Sequence, residues 1–173
     1  MYGTLEQLDD GRSQLRFTRN LPHPPERVWR ALTEPEHLAH WFPTTIDGER
    51  AAGASLRFSF PDDIAPPMDG AMLAFEPPFL MELRWGPDVL RLELAPGDGG
   101  GTELTLLDIL EAHGKAARDG AGWHVSLDWL EAELREEPID DRGSLSHWRS
   151  VHPRYVERFG PEAAAIGPPE GLG

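Results

Sequence analysis

An α+β fold, with a curved antiparallel sheet wrapped around one long helix near the C-terminus, is the architecture this sequence predicts. Three observations predict it. Runs such as Ser55 to Phe60, Phe79 to Trp85 and Val89 to Leu94 alternate apolar and polar residues, as strands with one buried and one solvated face do. The breaks between them are short and rich in proline and glycine, which leaves no room for crossover helices and implies an antiparallel meander. Further on, Trp123, Leu127, Leu130 and Leu134 recur at i, i+4, i+7 and i+11, a single apolar stripe on a helix able to cover the sheet.

From the N-terminus, Thr4 to Leu8 and Ser13 to Asn20 flank the turn signal Asp9-Asp10-Gly11-Arg12, so the chain opens with a hairpin. Two short helices follow, meeting at a corner. Pro24 and Pro25 suit a first helical turn, and Glu26 favours the positive end of the helix dipole. Val28, Trp29 and Leu32 mark one apolar face of the first helix; Leu38, Trp41 and Phe42 mark that of the second. Thr33-Glu34-Pro35-Glu36 reads as a capping box between them. The sheet strands come next, and Leu104 and Leu106 belong to one of them. The long helix is expected to begin near Gly122. Past it, Trp148, His152, Tyr155 and Phe159 share a helical spacing that Pro153 interrupts, which predicts a kinked helix or two short ones. This segment should dock on the long helix or the adjacent sheet, giving Trp129 a partner. Gly160 to Gly173 reads as irregular tail. The organisation expected is a domain over 1–137, with 138–173 as a helical extension and Gly/Pro-rich tail packed on it.

Composition bounds the function. The 173 residues include 30 acidic and 16 basic side chains, a formal charge of −14, which opposes binding to nucleic acid or an anionic membrane surface. There is no cysteine, hence no disulfide, thiol nucleophile or zinc-thiolate site. No secretory signal or membrane-length apolar run is visible, and a cytoplasmic protein is expected. Abundant Ala, Gly, Pro and Arg with one lysine, Lys115, hints at a GC-rich bacterial genome.

The segment RVWRALTEPEHLAHWF at 27–42 resembles the helical signature of the domain related to the C-terminal part of the activator of Hsp90 ATPase, within the START/Bet v 1-like superfamily. DGAGWHVSLDWL at 119–130 is a second match, with Gly122-Trp123 where that family opens its long helix. The resemblance covers roughly 12–137 and implies a helix-grip fold. The superfamily puts many functions on this scaffold, so the likeness speaks to fold more than to activity.

One helix cannot fill the concave face of a curved sheet, and the space left is a default ligand site. By strand parity its lining should include Phe58, Phe60, Leu83, Trp85, Leu92 and Leu106, closed by Trp41, Phe42, Trp123 and Leu127. Each of these aromatics can equally serve as plain core packing. Asp108 shares the face of Leu104 and Leu106, and a carboxyl there would have a raised pKa and could act as acid, base or ligand anchor. His124, next to Trp123, or His113 could contact it. A rim position for Asp108 is the plainer alternative. His37 and His40 stand at i, i+3, but a third convergent ligand is missing, so no metal is expected. Asp119-Gly120-Ala121-Gly122 could offer free N–H groups to an anion if it opens the helix, although close passage of the chain explains its glycines better. No phosphate loop or nucleophile elbow is present.

Three functions compete: binding of an apolar or aromatic small molecule in the central cavity, protein interaction, or a reaction similar to those of the superfamily's cyclases and aromatases, using Asp108 or His124. The first asks least of the sequence and is the reading adopted, with no catalytic residue and no cofactor. The resemblance implies a chaperone partner, but the eukaryotic activator carries a further N-terminal domain that these residues do not match, which argues against one. The Trp148/Tyr155/Phe159 stripe could support a homodimer if it does not pack within the chain.

Overall fold

The structure, a computed structural model, describes residues 1–139 and 145–168. Eight strands form one antiparallel sheet in the order β1-β2-β8-β7-β6-β5-β4-β3. They are β1 Thr4–Gln7, β2 Ser13–Leu21, β3 Thr45–Asp47, β4 Ser55–Ser59, β5 Met68–Glu76, β6 Leu80–Trp85, β7 Asp88–Pro96 and β8 Thr102–Leu110. The helices are α1 Pro25–Thr33, α2 Pro35–Trp41, α3 Ala116–Leu134 and α4 Ser146–Phe159. This is the helix-grip arrangement: the sheet curves around α3, with α1 and α2 bridging the hairpin β1–β2 to the rest of the meander. No helix among the described residues is long and apolar enough to cross a membrane.

Alternation puts Leu15, Phe17 and Leu21 of β2, Leu90, Leu92 and Leu94 of β7, and Leu104 and Leu106 of β8 on the buried concave face. The opposite face carries cross-strand ion pairs, such as Arg91 to Glu82 at 2.9 Å and Arg16 to Glu6 at 2.9 Å. Arg19 shares the buried face of β2, where its guanidinium meets Glu131 of α3 at 3.0 Å.

Several local expectations need correcting. Thr33 does not cap α2. It is the last residue of α1, and its hydroxyl donates back to the Trp29 carbonyl at 2.8 Å, while Glu34 takes the N-cap position without a side-chain hydrogen bond. Alternation had picked out neither β3 nor β5. In β5 the register shifts between Met72 and Ala74, leaving Leu73 exposed, and the buried position 70 is a glycine with no side chain to mark it. The long helix starts at Ala116, so Gly120 and Gly122 lie inside it and their N–H groups are not free for an anion. Gly120 instead admits α4: a Cβ there would stand 3.1 Å from Tyr155 Cδ1 and 3.3 Å from Phe159 Cε2.

Pro153 sits within a single helix, α4, rather than dividing it. That helix lies against α3, with Tyr155 fully buried and its hydroxyl accepting the Gly3 N–H at 2.9 Å. The aromatic stripe is therefore spent within the chain, which removes the sequence argument for a homodimer. The tail is less irregular than its composition suggests. Glu162–Ala164 form a 3-10 turn with Ala163 buried, and the Ile166 N–H donates to the Gly114 carbonyl at 2.9 Å. The end of that tail, 169–173, and part of the extension, 140–144, lie outside the described residues.

Candidate functional site

The strand end that carries Asp108, the start of β7 and the first two turns of α3 converge below a pocket of about 480 Å³. Its apolar wall is built by Phe60, Met68, Trp85, Trp123 and Trp148, with the exposed Ile64 at the rim. Trp85 is the hub. Its ring lies 4.6 Å from Phe58, 5.1 Å from Phe42 and 6.1 Å from Trp123.

The floor is polar, with Asp88, Asp108 and Lys115 buried and Arg118 and Asp119 partly so. Lys115, in the turn before α3, places Nζ 2.7 Å from both Asp88 carboxylate oxygens, and Asp88 Oδ1 also accepts the Glu111 N–H at 2.8 Å. Arg118 reaches Asp119 through Nε at 2.6 Å and Nη2 at 3.2 Å. Asp108, 1% exposed, accepts the Trp123 indole N–H on Oδ2 at 2.8 Å, while its Oδ1 has no hydrogen-bond partner among the described residues. Burial pushes the Asp108 carboxyl well above the usual carboxylate range. The nearby charges of Asp88 and Asp119 push the same way, and Trp123 and Lys115 oppose them. Asp119 is raised too, chiefly by burial, against the pull of Arg118. Ligand atoms of Asp88, Asp108 and Asp119 lie within 4.8 Å of one another. Two of these carboxylates already hold a cation of the protein, which argues against a metal ion between them.

Of the residues expected to line a cavity, Phe60, Trp85, Asp108 and Trp123 do border this pocket. Phe58, Leu83, Leu92, Leu106, Leu127 and Trp41 do not. All are essentially inaccessible and fill the core that the sheet closes with α2 and α3. Phe42 borders a smaller hollow of about 310 Å³ shared with Leu38 and Ile46. His124 faces away altogether. One residue along a helix turns a side chain by about 100°, so Trp123 meets the pocket while His124 meets α4, with Nδ1 3.0 Å from the Tyr155 hydroxyl. His113 bonds Ser13 at 2.8 Å, so neither histidine contacts Asp108. The group that joins His37 and His40 is Glu133 of α3, invisible to local spacing. It takes one Nδ1 on each oxygen, at 2.7 and 2.6 Å, so the rings surround a carboxylate rather than a common centre. Asp88, Lys115 and Arg118 carry no sequence signal for a site, whereas Asp119 stands in the glycine-rich turn read as an anion candidate and Trp148 in the segment read as bracing the long helix or capping the cavity mouth. Lys115 is distinguished only as the chain's one lysine.

Burial lowers the pKa of His124 to about 4, despite the opposing pull of Asp128. A depressed histidine favours the fold above its unfolded value, about 6.5, and that stability is lost as pH falls toward the folded value. Replacement by Gln should therefore flatten the fall in stability between about pH 6.5 and 4. Urea midpoints measured across that range check this; an unchanged slope would mean that His124 is solvated in solution.

Comparison with known proteins agrees with this architecture. CalU16 from Micromonospora echinospora superposes with a TM-score of 0.70 at 20% identity, over 91% of this chain and 95% of its own. A conserved protein of unknown function from Enterococcus faecalis, EF2215, gives 0.73 at 20% identity, over 90% and 89%. DynU16, a protein of the dynemicin biosynthetic locus, gives 0.62 at 28% identity, over 70% of this chain but 47% of its own. No curated protein is similar enough to count as a relative. The family model described as activator of Hsp90 ATPase homolog 1-like protein matches residues 22–135, and the chain belongs to that family.

Proposed function

We propose that this protein binds an apolar, aromatic small molecule in the pocket between the sheet, α3 and the start of α4. The observation that carries the reading is the pocket itself: about 480 Å³, walled by Trp85, Trp123, Trp148 and Phe60, with a few polar groups gathered at one end. That combination is the usual build of a small-molecule site. A protein-interaction module would be better served by a filled interior. Of the two residues put forward for a cyclase- or aromatase-like reaction, Asp108 borders the pocket and His124 faces α4 instead. DynU16 belongs to a biosynthetic locus by its description, which suits a ligand of natural-product type. The described part of the extension, 145–168, acts in this reading as part of the same unit as 1–137. Trp148 supplies a wall of the pocket, and Tyr155 braces the helix behind it.

Calorimetric titration with 2-isopropylnaphthalene, a purely apolar two-ring probe, tests the proposal. Trp85→Ala and Trp123→Ala should each weaken binding about tenfold, the worth of one aromatic contact in a desolvated site. Trp129→Ala, outside the pocket, should leave it unchanged. Loss of stability in the two pocket variants with undiminished probe binding would defeat the proposal.

A further inference from the structure

The ligand's polar chemistry follows from an imbalance on the pocket floor. Three carboxylates meet there, and two of them have cations in direct contact: Asp88 has Lys115, and Asp119 has Arg118. Asp108 has none. Asp108 borders the pocket; its Oδ2 is occupied by the Trp123 indole, and its Oδ1 is buried without a hydrogen-bond partner among the described residues. As a carboxylate it would add a third negative charge opposite two positive ones in a poorly solvated place. As a neutral acid it leaves the floor balanced and gains one O–H to donate.

We infer that Asp108 serves as a neutral hydrogen-bond donor to the ligand, which is therefore an aromatic body bearing an uncharged acceptor such as a ketone, quinone or amide carbonyl. The inference rests on the reading of the pocket as a ligand site. Charged ligands fit the floor poorly. An ammonium would meet Lys115 and Arg118, and an anion would meet Asp88 and Asp119. A carbonyl oxygen meets neither objection, and it satisfies Asp108 Oδ1, which is buried without a hydrogen-bond partner among the described residues. A hydrocarbon of the same shape leaves that atom open and is discriminated against.

The groups facing Asp108 are Asp88 from β7, Lys115 from the turn before α3, and Arg118, Asp119 and Trp123 from α3. Burial with Asp88 and Asp119 keeps the proton on the acid above the ordinary carboxylate pKa. The donor is present while the pH lies below that raised value and is lost as pH rises through it.

The test compares 2-acetylnaphthalene with its isostere 2-isopropylnaphthalene on the full chain, by calorimetry over a pH series. The ketone should bind about three- to tenfold more tightly at the acidic end, the worth of one net hydrogen bond. That advantage should vanish as pH rises, while hydrocarbon binding stays flat. Asp108→Asn, whose amide can still donate, should keep the advantage and lose its pH dependence. Asp108→Leu should abolish it. Infrared spectra of the wild-type complex need no variant, and the ketone stretch should move to lower frequency on binding. If neither naphthalene binds, the pocket reading fails and this inference with it. If both bind equally at every pH, the pocket reading stands and the role of Asp108 is wrong. An advantage that grows with pH would likewise overturn it.

Discussion

Lys115→Met should destabilise the protein by about 3–5 kcal/mol, the cost of leaving a buried charge without its partner. Asp88 and Lys115 are 6% and 8% exposed at their side chains, and both carboxylate oxygens lie 2.7 Å from Nζ. Removing the ammonium leaves Asp88 facing Asp108 and Asp119 in a space that water enters poorly. Adding Asp88→Asn should recover much of the loss, because the amide oxygen can still accept the Glu111 N–H that Asp88 Oδ1 holds at 2.8 Å. Urea denaturation of both variants at neutral pH measures this. A loss below about 1 kcal/mol, the range of exposed pairs, would mean that the floor of the pocket is hydrated.

Gly70→Ala carries the second large penalty, about 3 kcal/mol, at the upper end for overpacked sites. A Cβ at position 70 would lie 2.1 Å from the Arg84 carbonyl oxygen on β6 and 2.4 Å from Phe58 Cε2. The carbonyl belongs to the neighbouring strand's backbone, so it cannot swing aside as a flexible side chain would. Relief requires β5 to move from β6, with Phe58 displaced toward Trp85, its neighbour at 4.6 Å. Gly122→Ala is the internal control. Among the described residues nothing lies within 4 Å of that Cβ, and alanine in a helix interior is favoured over glycine by about 0.8–1 kcal/mol. One glycine replacement should thus lower the thermal midpoint and the other raise it. Equal midpoints would show that β5 packs less closely than described.

The contrast between these glycines also explains what could be read from the sequence. Strands β4, β6 and β7 are legible because each alternates large apolar residues with polar ones, β1 and β2 because they flank the Asp9–Arg12 turn signal, and the stripe from Trp123 to Leu134 announces the helix they wrap. Strand β5 is not, since its buried positions include Gly70 and its alternation slips at Leu73. The start of α3 was placed too late for a similar reason: Gly120 and Gly122 look like punctuation, yet the first makes room for Tyr155 and the second borders the pocket.

In the site, Asp108 could be assigned to the concave face by parity with Leu104 and Leu106. Parity cannot say how far along that face the covering helix reaches. That is why Leu83, Leu92 and Leu106 proved to be core, while Trp85, at the end of its strand, borders the pocket. The Asp88–Lys115 and Glu133–His37–His40 contacts join residues that only the folded topology brings together, 27 apart in the first case and 96 between His37 and Glu133 in the second. No local spacing encodes them.

The indole N–H resonances of the six tryptophans offer the most direct test of the pocket as a binding site. In a titration with 2-acetylnaphthalene followed by two-dimensional proton–nitrogen NMR, the signals of Trp85, Trp123 and Trp148 should shift together and saturate. Those of Trp29, on α1 beside Phe75 of β5, and Trp129, off the pocket on α3, should hold still. Saturable shifts confined to the first three place the probe against Asp108. Shifts centred on Trp29 or Trp129, or none at any concentration the probe reaches, would contradict a binding role for this pocket.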